Sequence, residues 1–119
     1  MSLRNAWKFQ YPCSQLQEAA RKKREYHAER LKWWQVEQNK VIAEVREKGL
    51  EVREQEITRG ARGEIVIDAT YQRRLNECFS KVKEHQEFTD EYTTWVRVFE
   101  LNSSAKVDLD AEDIEYFGL

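Results

Sequence analysis

The sequence predicts a mainly α fold: a long antiparallel two-helix hairpin, coiled-coil-like, with a small β-hairpin at the tip and a short C-terminal helical turn. Three observations predict it. Tyr71, Leu75, Cys78, Val82, His85, Thr89, Tyr92, Val96 and Phe99 alternate at spacings of four and three residues, which is the seam of a helix packed lengthwise on another. Residues 14–48 contain neither Gly nor Pro, so nothing interrupts a first helix. Charged residues make up 35% and apolar residues 40% of the 119-residue chain, against about 25% and about 45–50% in an average domain. That balance suits helices with wet outer faces and a narrow core. Aromatics at 12% are too large an apolar load for a disordered chain.

The elements follow in order within a single expected domain, 1–119. Residues 1–13 form an N-terminal arm in which Trp7, Phe9 and Tyr11 alternate until Pro12. Ser14 and Gln17 have the spacing of a capping box, opening a first helix over 14–48 that Gly49 stops. Its apolar positions are less regular, but Leu16, Ala20, Leu31, Trp34, Gln38, Val41 and Val45 supply a matching seam. Residues 49–67 are too long for a plain helical turn. Leu50–Val52 and Glu64–Ile67 are strand-like around a Gly/Arg turn, so a β-hairpin is expected there, the alternative being a first helix that runs on to near Gly60. Asp68 caps a second helix over 68–101, which Asn102-Ser103-Ser104 ends. The tail, 102–119, is acidic, and Asp110 is placed to cap a short turn carrying Ile114, Tyr116 and Phe117.

Folding the two helices back pairs positions numbered to a constant sum. Val41 then meets Cys78, Val45 meets Leu75, Trp34 meets His85, and small Ala20 faces large Phe99. Large opposite small makes the register self-consistent.

Charge and motif exclude more than they assign. Net charge is −2, too little to draw the whole molecule to nucleic acid. It is unevenly spread, with 11 Lys+Arg against 6 Asp+Glu in residues 1–48 and 9 against 16 in residues 49–119. Side by side in a hairpin, those halves attract each other first. Cys13 and Cys78 lie outside any CxxC pattern, and no apolar stretch has the length of a signal peptide or membrane span. The expected setting is a reducing cytoplasm with both thiols free.

No P-loop, dinucleotide fingerprint or nucleophile elbow occurs, and Cys78 and His85 are too far apart along a helix to form a catalytic or metal-binding pair. Asp108, Asp110 and Glu112 echo a calcium loop, but Asp113 occupies the required glycine position and Leu119 the closing glutamate position. Neither catalysis nor any cofactor or metal is expected.

What stays unassigned is apolar surface. Phe79, Phe88, Trp95 and Val98 form a second stripe beside the seam, and adjacent Trp33 and Trp34 cannot both face it. Either the arm and tail fold back over this excess, or it meets a partner. The expected role is a non-catalytic protein–protein interaction module, acting in assembly, scaffolding or inhibition. Trp33, Phe79, Phe88 and Trp95 are its candidate anchors, and a homodimer forming a four-helix bundle is the favoured assembly. The alternative is a nucleic-acid-binding module using Arg59 and Arg62 at the tip together with the basic first helix. His85 is expected to set register as a polar seam residue.

Overall fold

The structure, a computed structural model, describes residues 8–49 and 69–119. Strand β1 spans Phe9–Pro12, helix α1 Cys13–Glu47, helix α2 Ala69–Leu101, strand β2 Lys106–Leu109 and helix α3 Ala111–Phe117. The fold is mainly helical. The two long helices pack against each other, a small antiparallel pair of strands accompanies them, and a short helix closes the C-terminal end.

α1 runs 35 residues without a helix breaker. It begins one residue earlier than its capping pattern predicts, so Ser14 sits inside the first turn. The N–H of Cys13 is satisfied by the carbonyl of Ala105 at 2.9 Å, which ties the start of the helix to the segment entering β2. At the other end Gly49 adopts φ 72°, and its N–H closes on the Arg46 carbonyl. A left-handed residue at this position is readily supplied by glycine, which has no Cβ to clash. α2 ends at Leu101, where the Asn102 side-chain amide donates to the Val98 carbonyl at 2.8 Å and satisfies an orphan acceptor of the last turn.

β1 and β2 pair antiparallel, with Phe9 opposite Leu109 and Tyr11 opposite Val107. The described strands therefore lie in the arm and the tail. The hairpin expected over 49–67 lies, apart from Gly49, outside the described residues, as do Asp68 and the tip arginines Arg59 and Arg62. A two-stranded ribbon is marginal alone. This one leans on the core through buried Leu109 and the half-buried Tyr11 and Val107.

α3 is only seven residues long and depends on its caps. Asp113 donates its N–H to the Asp110 carboxylate at 2.9 Å, and the Asp110 N–H reaches back to the Asp113 carboxylate at 3.3 Å. This reciprocal box satisfies two orphan donors at once. Gly118, at φ 69°, closes the helix in the left-handed conformation.

The chain divides into two compact units, each holding a length of both long helices. Unit 1 comprises Met1–Ala28 and Glu87–Leu119, and unit 2 comprises Glu29–Gln86. In unit 1 the core joins Cys13, Leu16 and Ala20 of α1 to Tyr92, Val96 and Phe99 of α2, with Leu109 and Phe117 closing over them. In unit 2 it is a thinner seam of Val41, Val45, Leu75 and Cys78, flanked by half-buried Trp34, Ile42, Tyr71 and Phe79. All nine positions of the α2 heptad are buried or half-buried. The expected companions also cluster together: Ala20 with Phe99, and Val41 and Val45 with Leu75 and Cys78.

Candidate functional site

Phe88, Tyr92, Trp95 and Phe99 recur at four- and three-residue steps, so α2 presents four rings along one side in unit 1. α3 and the residues around it bring two more. Phe117 sits edge-on to Trp95, Phe99 and Tyr92, with centroids at 5.9, 5.5 and 6.5 Å. Tyr116 stacks on Tyr92 at 4.7 Å, and Trp95 stacks on Phe99 at 5.5 Å. These are the offset and edge-to-face distances at which aromatic pairs attract beyond their buried area. From α1, His27 lies flat against Phe88 at 4.6 Å and Tyr92 at 5.7 Å.

The hydroxyl of Tyr92 donates to the Tyr116 carbonyl at 2.6 Å, locking the tail onto α2. Burial, with added effects from Tyr116 and Glu91, pushes the Tyr92 pKa up to about 12. Tyr116 is shifted upward too, first by burial and then by Glu91. Both hydroxyls are therefore neutral donors near neutrality, and neither has the lowered pKa of an activated group.

Beside the rings a cleft of about 390 Å³ opens between α2 and the β2–α3 segment. Trp95, Phe99, Tyr116 and Phe117 give it aromatic walls, and Glu91, Asp108 and Asp113 bring carboxylates. A second cleft of about 470 Å³ lies where α1 meets the residues after α3, lined by Lys22, Lys23 and Tyr26 together with Phe117.

The structure separates the four proposed anchors. Trp33 is 48% exposed and Trp95 38% exposed, whereas Phe79 and Phe88 are half-buried against the unit 2 and unit 1 cores. Trp33 stands edge-on to Trp34 at 4.8 Å, and the Arg30 guanidinium lies 5.0 Å from its ring. Val36, one turn further along α1, is 53% exposed. Four consecutive cations, Arg21, Lys22, Lys23 and Arg24, are spread around α1 by its helical turn, with Arg21 paired to Glu18 at 2.9 Å. Such an exposed pair adds little to stability.

His85 is buried in the unit 2 seam. Burial lowers its pKa against an opposing pull from Glu84, with Arg30 and Lys81 adding to the decrease. Both cysteines are unpaired and buried, and burial, Glu77 and Glu37 raise the Cys78 pKa. Among the described residues, no three His, Cys, Asp or Glu side chains converge to hold a metal ion. No described helix is long and apolar enough to cross a membrane.

Sequence periodicity finds Trp95 but misses the cleft beside it. Glu91, Asp108 and Asp113 come from three elements, and only the docking of the tail on α2 brings them together. Comparisons with protein-family models, curated proteins and solved structures find no match to this chain, so its functional reading rests on its own geometry.

Proposed function

We propose that this chain is a non-catalytic protein–protein interaction module that self-associates through an aromatic face of its helical hairpin, two copies forming a four-helix bundle. The observation that carries this reading is the Trp33–Val36 face of α1 in unit 2. Both side chains are about half exposed, and among the described residues no element packs over them. A tryptophan and a valine one turn apart present an apolar strip to water, and helices commonly bury such strips against a partner helix. Tryptophan is also the residue type that most often dominates interface energetics. Phe79 and Phe88 are each already partly covered by the core of their own unit.

Solution mass tests the proposal. Light scattering at micromolar concentration is expected to give twice the 14.3 kDa chain mass. Trp33→Glu should return a monomer with unchanged helicity, because it places an unpaired charge in the interface. A strict monomer that also fails to bind an apolar dye removes the case for this face.

A further inference from the structure

We propose that the cleft between α2 and the β2–α3 segment binds an organic ammonium group, such as a trimethylammonium, with the Trp95 ring as its aromatic face and Glu91, Asp108 and Asp113 as its countercharges. Four features of unit 1 point to this chemistry. First, the lining combines aromatic rings with three carboxylates and contains no cationic side chain. Ring faces and carboxylates both attract a cation, and tryptophan is the strongest ring for this purpose. Second, among the described residues the chain's own cations lie over Trp33 and Tyr71 but not over Trp95. Arg30 covers Trp33 at 5.0 Å, and Lys48 and Arg74 lie 4.8 and 5.8 Å from Tyr71. Among the described residues no Lys or Arg covers Trp95 or Tyr116, and the ion pairs leave Glu91, Asp108 and Asp113 unmatched.

Third, the carboxylates do not converge on a point. No metal-binding group forms among the described residues, so a compact, hard cation has no chelating shell. A bulky ammonium whose charge is spread over methyl groups needs none, and its methyls suit the apolar walls. Fourth, a cleft of about 390 Å³ falls within the ~300–1,000 Å³ typical of small-ligand sites. Glu91 also raises the Tyr116 pKa, second to burial, as a negative local field requires. The trimethylammonium could belong to a methylated lysine side chain or to a free amine, and the chemistry of recognition is shared. The site does not depend on self-association, because Trp33 and Val36 are not among its lining residues.

Titration of the full-length chain, followed by two-dimensional NMR of the tryptophan indoles, tests the assignment. Tetramethylammonium chloride is compared with matched sodium chloride. Choline is compared with its neutral isostere, in which a tert-butyl group replaces the trimethylammonium. A saturable shift of the Trp95 indole signal is expected with both ammonium compounds, with far weaker binding of the isostere. Trp95→Leu should weaken binding roughly tenfold. The double change Glu91→Gln and Asp108→Asn, at two exposed positions outside the capping box, should weaken it and flatten its salt dependence. Trp33→Glu should leave it unchanged, which separates this site from the self-association face. A trimethyl-lysine peptide that binds more tightly than choline identifies a protein side chain as the source, and the reverse identifies a free amine. Equal binding of the neutral isostere, or no saturable shift with either ammonium compound, overturns the proposal.

Discussion

Units 1 and 2 contain stretches of the same two helices, yet they solve the burial problem differently. In unit 2 two helices are all the described structure provides. The seam is correspondingly thin, with Val41, Val45, Leu75 and Cys78 as its buried apolar residues, and it also holds buried Gln72 and His85. Gln72 donates to Asn76, but its side-chain oxygen, like the indole N–H of Trp34, is buried with no hydrogen-bond partner among the described residues. In unit 1 the ribbon and α3 add a layer, and the buried set grows to include Tyr92, Phe99, Leu109 and Phe117. Two helices in contact share only a strip of surface. A third layer turns that strip into a core that can enclose rings. Exposed apolar side chains remain in both units: Trp33 and Val36 in unit 2, and Phe9, Tyr26, Trp95, Val98, Leu101 and Leu119 in unit 1.

The largest expected effect tests that layer. Phe117→Ala removes a 5% exposed ring that touches Tyr92, Trp95, Phe99 and Tyr116. It should cost about 3–5 kcal/mol in urea unfolding, the usual range for emptying an aromatic core site. Leu75→Ala probes the thin seam of unit 2, where Leu75 is fully buried. The expected loss is about 2–3 kcal/mol, toward the low end for leucine because a two-helix seam can partly close over the cavity. A loss at Leu75 equal to that at Phe117 would show unit 2 to be as tightly packed as unit 1, and the comparison would fail.

The smallest effect concerns pH. The folded pKa of His85 lies below its ordinary 6.5 because burial disfavours the charged ring. As pH falls through that ordinary value, the unfolded chain takes up the proton before the folded one does, and stability declines. The wild-type melting temperature should therefore drop more than that of His85→Gln between pH 7 and about pH 5.5. Parallel curves would mean that His85 contributes nothing to the pH response of unit 2.

Much of this fold is legible in the residues. The alternation from Tyr71 to Phe99 gives the inward face of α2, because side chains three and four apart share a side of any α-helix. The 14–48 stretch followed by Gly49 gives α1 to within a residue at each end. Asp110 is legible as a helix cap, since an aspartate before a short apolar turn has few better uses. The strands are harder to read. Phe9 and Tyr11 alternate, but their partners Leu109 and Val107 stand about a hundred residues away, and alternation says nothing about which distant segment completes the ladder.

The same limit separates the two readings of the surplus aromatics. Sequence alone determined that α2 carries more rings than one seam can hold, because periodicity fixes which side chains share a helix face. Whether those rings meet solvent, a partner or the chain's own tail depends on contacts between distant segments. Within the chain, the tertiary structure places Tyr116 over Tyr92 and Phe117 over Phe99, and it leaves Trp95 at the edge of an acidic cleft and Trp33 half exposed. Helix faces are local geometry, and their coverage is not.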